Sequence, residues 1–130
     1  MGIDYGTKRV GIALSDTEGR IAFPHAIVGN DKNLLQTIKN IIEKEGVQGV
    51  VIGESLDYKQ KENPIMGEVK KLKVFLENES HLPVYFEPEI LSSAEARSLL
   101  GRRENVDASA AAILLQSYLD RIKNYESRSM

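Results

Sequence analysis

The chain has 130 residues, 42% of them hydrophobic, a formal net charge of −2 and no cysteine. That length suits one domain with a sizeable core, and the missing cysteines exclude disulfides and thiolate metal sites. No apolar run approaches the roughly 20 residues of a membrane span, and the mildly acidic balance argues against a large non-specific nucleic-acid footprint. It leaves room for an enzyme that meets phosphates through metal ions and a local patch. The first apolar run begins almost at Met1, so no signal peptide is expected, and a cytoplasmic location follows as an expectation.

Gly2-Ile3-Asp4-Tyr5-Gly6 and Val10-Gly11-Ile12-Ala13-Leu14 are two β-like runs joined by Thr7-Lys8-Arg9, the pattern of a hairpin. A third apolar run, Ile21 to Val28, carries Pro24, which predicts an edge strand or a bulge. Asn30 to Asn33 supplies helix N-cap candidates, and Leu34, Leu35, Ile38, Ile41 and Ile42 follow at helical spacing up to Gly46. Gly49 to Gly53 reads as a buried parallel strand, and Glu54 to Asn63 as a polar loop. Asn63-Pro64 opens a second helix with Ile65, Val69, Leu72 and Leu76 on one face. Pro83 to Glu87 is a further short strand. Ser92-Ser93-Ala94-Glu95 resembles a capping box, predicting a short helix to about Leu100. After a loop, Asp107 opens a last helix to about Lys123, so small and apolar at its start that close packing on the sheet is expected. The order β-β-β-α-β-α-β-α-α implies an α/β fold: a mixed five-stranded sheet flanked by helices, within a single domain over residues 1–130.

Three acids stand where chemistry could be built: Asp4 in the first strand, Glu89 just after the last, and Asp107 at the start of the last helix. An ionised carboxylate in a central strand is costly unless compensated. Ligands of parallel sheets bind beyond the carboxyl ends of the strands. Clustered carboxylates raise one another's pKa values, and a divalent cation with hard-oxygen preference removes that cost. Two such ions roughly 4 Å apart activate a water and stabilise a leaving oxygen in phosphodiester hydrolysis. Each acid also has a plainer role. Asp4 fits a strand-end Asp bonded to backbone, Asp107 an N-cap, and Glu89 an exposed loop acid.

The opening hairpin and the last helix resemble the YqgF/RuvX family. These are small bacterial RNase H-like proteins that go under the names of pre-16S rRNA nuclease and Holliday junction resolvase. The family opens with an apolar residue, Asp, an apolar or aromatic residue and Gly-Thr-Lys, as in Ile3-Asp4-Tyr5-Gly6-Thr7-Lys8. It ends with Asp before an Ala-rich helix carrying Gln/Glu-x-Tyr, as in Asp107 to Ala112 and Gln116-Ser117-Tyr118. Between them Pro88-Glu89-Ile90-Leu91 stands where the family has Asp-Glu-Arg-Leu. The acid is kept as Glu89 and its flanking Asp and Arg are replaced. The family's Gly-Leu-Pro is here Gly53-Glu54-Ser55, which makes Glu54 an alternative third acid.

The resemblance implies an RNase H-like fold and a metal-dependent endonuclease acting in maturation of pre-16S rRNA. It implies Asp4, Glu89 and Asp107 as catalytic ligands of Mg²⁺ or Mn²⁺, and nucleic acid as partner. Lys8, Arg9 and Arg97 are candidate backbone contacts. A Holliday junction resolvase, which needs a dimer, and a non-catalytic nucleic-acid-binding module are the alternatives. The Asp-x-Gly-Thr hairpin also resembles the phosphate-binding hairpin of actin-like ATPases and sugar kinases, but that class needs two related domains. No aromatic-rich stretch suggests a single-strand platform, and His25 and His81 read as structural.

Overall fold

The computed structural model describes residues 1–56, 65–90 and 108–129. Its elements are β1 (Gly2–Tyr5), β2 (Arg9–Ser15), β3 (Ala22–Gly29), α1 (Leu34–Glu45), β4 (Val50–Leu56), α2 (Met66–Glu79), β5 (Val84–Ile90) and α3 (Ala108–Ser129). The strands form one sheet in the order β3-β2-β1-β4-β5. β1 pairs antiparallel with β2 and parallel with β4, and β5 runs parallel to β4. Only β2 runs against the rest. The expected capping-box helix, the end of the Glu54 to Asn63 segment and Asn63-Pro64 lie outside the described residues.

Alternation along each strand sorts side chains to two faces. Ile3, Val10, Ile12, Leu14, Val50, Ile52 and Val84 form the main core with α1 and α2. α1 supplies Leu34, Ile38 and Ile42, and α2 supplies Met66, Val69, Leu72 and Leu76. The α2 stripe therefore starts one residue later than expected, at Met66, which is almost fully buried. The other face is thinner: Ala13 and Val51 pack on Ala111 and Leu115 of α3. There the helix lies so close to β1 that a Cβ on Gly2 would come within 2.8 Å of the Leu115 Cβ and 2.9 Å of the Ala111 carbonyl oxygen. The expected close packing of the small-residue helix is this contact. α3 is not covered all round, however, since Ile113 is exposed.

Local signals act as their chemistry predicts. Pro24 stands in an edge strand, and the β2–β3 register shifts beside its partner Ala13. α1 ends on Gly46 in the left-handed region, φ 65°, its N–H donating to the Ile42 carbonyl. Asn33 occupies the α1 cap position without a side-chain cap bond. Instead, the Asn33 N–H donates to Asp31 Oδ1 at 2.8 Å.

Two strands run further than their sequences suggest. β4 continues through Glu54 to Leu56 and β5 through Pro88 to Ile90, paired Glu54↔Pro88, Ser55↔Glu89 and Leu56↔Ile90. Glu54 is therefore not in a loop and Glu89 does not follow the strand; both belong to it. Pro88 is tolerated because β5 is the sheet's edge.

Candidate nucleic-acid-processing site

The site is built from the middle of the sheet outward. Asp4 stands near the carboxyl end of β1, half-buried. Gly2 faces α3 and Ile3 faces the α1/α2 core, so alternation puts Asp4 on the α3 face. Its antiparallel partner is Gly11. The parallel register ends at Ile3↔Ile52, and the next residue on β4 is Gly53. A glycine thus borders Asp4 on each neighbouring strand.

The turn after Asp4 is held tightly. A Cβ on Gly6 would approach the Arg9 carbonyl oxygen to 2.5 Å, so only glycine fits there. Asn30 fastens the turn from outside. Its Nδ2 donates to the Gly6 carbonyl at 2.7 Å, its backbone N–H donates to the Lys8 carbonyl at 2.9 Å, and the Tyr5 hydroxyl donates to its Oδ1 at 3.4 Å. Lys8 and Arg9 are both exposed on this turn. Arg9 lies two residues before Gly11 on β2, which places it on Asp4's face.

Glu54 follows the alternation of Ile52 and so stands on the α1/α2 face, opposite to Asp4. Glu89 is a β5 position in register with Ser55 and two residues beyond Glu87. α3 begins at Ala108, on Asp4's face of the sheet. Asp107 and Arg97 lie outside the described residues. Among the described residues, no group of three or more His, Cys, Asp or Glu side chains is placed to hold a metal ion.

One acid on this face escaped the sequence reading. Glu87 is buried, with 6% of its surface exposed, and pairs with Gly53 one strand from Asp4. The Ser117 hydroxyl donates to its Oε1 at 3.4 Å, and the Arg121 guanidinium forms an ion pair with Oε2. Beside it, the Tyr85 and Tyr118 rings stack with centroids 5.7 Å apart and planes 23° apart. Arg121 lies over the Tyr118 ring at 5.7 Å. Burial pushes the Tyr118 phenol above its usual pKa; Tyr85 and Glu87 add to the shift and Arg121 opposes it. The signal was present in the alternation: Val84 and Phe86 lie toward the main core, which turns Tyr85 and Glu87 toward α3.

A sheet in the order 3-2-1-4-5 with only β2 reversed, helices on both faces and an acid near the carboxyl end of the central strand defines a domain of the RNase H-like class. A family model described as "RuvX: Holliday junction resolvase" matches residues 1–121, and the chain belongs to this family. A Rickettsia peacockii (strain Rustic) protein named "Putative pre-16S rRNA nuclease" is 38% identical over 132 residues, spanning 94% of this chain and 86% of its own. A protein of the same name from Sulfurihydrogenibium sp. (strain YO3AOP1) is 31% identical over 133 residues, with 94% and 90% covered. Another from Rickettsia felis (strain ATCC VR-1525 / URRWXCal2) is 37% identical over 131 residues, with 93% and 85% covered. No helix among the described residues is long and apolar enough to cross a membrane.

Proposed function

We propose that residues 1–130 form a single metal-dependent endonuclease domain that hydrolyses phosphodiester bonds in 5′-end maturation of pre-16S rRNA, in the cytoplasm. The observation that carries this is the placement of Asp4. It is a half-buried carboxylate in the central strand, bordered by Gly11 on one neighbouring strand, on the face covered by the helix that starts one residue after Asp107. Membership of a family with relatives named for this activity supports it.

Asp4, Glu89 and Asp107 would hold Mg²⁺ or Mn²⁺, since a carboxylate set of this kind offers only hard oxygen donors. When bound, such ions lower the pKa of a water and stabilise the leaving oxygen. The chain's own part is to orient and to neutralise. Asp4 is fixed by its strand, with Gly11 as its partner across the hairpin. Lys8, Arg9 and Arg97 would contact the phosphate backbone. Water is the nucleophile, and no Ser or His is needed for that role. Glu54 is the weaker candidate for the third acid because its strand alternation turns it to the other face.

The test is cleavage of precursor 16S rRNA with Mg²⁺, Mn²⁺ or chelator. Asp4→Asn and Glu89→Gln should each lose orders of magnitude of activity with folding intact, while Glu54→Gln should cost little. Full activity in Glu89→Gln with loss in Glu54→Gln would reverse the assignment, and full activity in Asp4→Asn would end the proposal. Because the matching family model is described as a Holliday junction resolvase, branched DNA belongs in the same assay. Preferential cutting of the junction by a dimer would favour that second reading.

A further inference from the structure

We propose that Tyr85, backed by Tyr118 and Arg121, is a base-stacking platform for single-stranded nucleic acid at the β5 edge of the sheet; this rests on the reading of the chain as acting on nucleic acid. The Tyr85 ring is half exposed, at 48%, although one of its faces is covered by Tyr118. A large aromatic held by a second ring loses little conformational freedom when a base stacks on it, and any base has a face to offer. Arg121 lies over the opposite part of this assembly, with 55% of its side chain exposed.

Buried Glu87 anchors the guanidinium in place, and the N–H donors outside that ion pair, on a side chain more than half exposed, can serve a phosphate of the bound strand. Ring and guanidinium together suit a nucleotide better than an apolar side chain, which would leave those donors without an acceptor. The placement also suits substrate geometry. Tyr85 stands on the same face of the sheet as Asp4, two strands away. Strands are spaced by about 4.8 Å and residues two apart along a strand by about 6.7 Å, so Tyr85 lies on the order of 12 Å from Asp4. One strand of nucleic acid bound at Asp4 can therefore reach it. β5 is the last strand of the sheet, so nothing among the described strands flanks the platform on its outer side.

The probe is a fluorescein-labelled ten-nucleotide oligoadenylate, its binding to the full chain read by fluorescence anisotropy in EDTA so that nothing is cut. Tyr85→Ala should raise Kd about tenfold, the loss expected when one base–aromatic stack is removed. Tyr85→Phe keeps the ring and should stay within about twofold. On an abasic oligonucleotide of the same length, the wild type and Tyr85→Ala should bind alike. Circular dichroism checks folding, and Tyr85→Leu replaces the alanine variant should the latter fail to fold. Wild-type affinity in the ringless variants overturns the inference, as does a deficit that persists on the abasic strand, or an oligoadenylate that the wild type does not bind. Cleavage of precursor rRNA is read separately. A nuclease whose binding ignores Tyr85 sinks this inference alone, and Tyr85-dependent binding without cleavage sinks only the nuclease reading.

Discussion

Gly2→Ala probes the tightest joint in the molecule. The added Cβ would stand 2.8 Å from the Leu115 Cβ and 2.9 Å from the Ala111 carbonyl oxygen, against an ordinary contact beginning near 3.4 Å. The shortfall is about 0.6 Å, the difference between 3.4 and 2.8 Å. Neither opposing atom is the far end of a flexible side chain, so α3 itself must move off β1. Overpacking of this kind costs about 1–3 kcal/mol. Alanine restricts the unfolded chain more than glycine does, which returns about 0.4–1 kcal/mol. The net expectation is a loss of about 1–2 kcal/mol, or a fall in Tm of about 4–8 °C for a chain of this size. Urea unfolding followed by circular dichroism measures it, with the slope unchanged if only the native state is affected. Leu115→Ala should not rescue the variant, because it removes neither clashing atom. A Gly2→Ala protein as stable as the wild type, or one rescued by Leu115→Ala, would refute the close approach of α3 to β1.

Two further outcomes follow from the turn before β3, at the same end of the sheet. Gln116 ties α3 to the turn before β3: its Oε1 accepts from the Ala22 N–H at 2.8 Å and its Nε2 donates to the Arg20 carbonyl at 2.9 Å. Gln116→Ala leaves both partners short and should destabilise by about 1–2 kcal/mol in the same urea assay, whereas no change would show that water replaces the side chain. Asp16 Oδ1 accepts from the Arg20 N–H at 2.7 Å and the Ile21 N–H at 3.2 Å, and these bonds hold its pKa below the ordinary carboxylate value. A lowered folded-state pKa means that its support of the turn is complete above the unfolded value and fades as pH falls through the folded one. Carbon-detected NMR titration should therefore find Asp16 ionising below a free aspartate, and a midpoint at or above the free value would contradict the geometry.

Element order was legible because it rests on hydrophobic period. Leu34, Ile38 and Ile42 declare α1 by their spacing, and Val50 to Ile52 declare β4 by continuity. Strand ends were harder. Where β4 and β5 continue past their apolar runs, the residues are Glu54, Ser55, Pro88 and Glu89, whose composition is that of a loop. The main-chain ladder continues there without an apolar signature to announce it. For the site, the sequence marks Asp4 as an anomaly in an apolar strand, and the fold then adds its glycine neighbour across the hairpin. Glu54 stayed an alternative to Glu89 because parity cannot be counted until the strand is known to persist. The tyrosine pair was invisible for another reason: Tyr85 and Tyr118 are brought together only when α3 crosses the sheet to β5.

The seating of α3 on β1 also governs the order in which the molecule can be assembled. β1 is made before α3, yet the atoms that cover its second face belong to Ala111 and Leu115. β1's parallel neighbour likewise waits for Val51 and Ile52. Contacts of such long sequence separation form late and slow folding. During synthesis the strand bearing Asp4 therefore waits with one side uncovered while the residues between it and α3 are added. The face proposed to cut nucleic acid is completed only after the α3 segment has been made, so a nascent chain is without that face until Ala111 and Leu115 have been added.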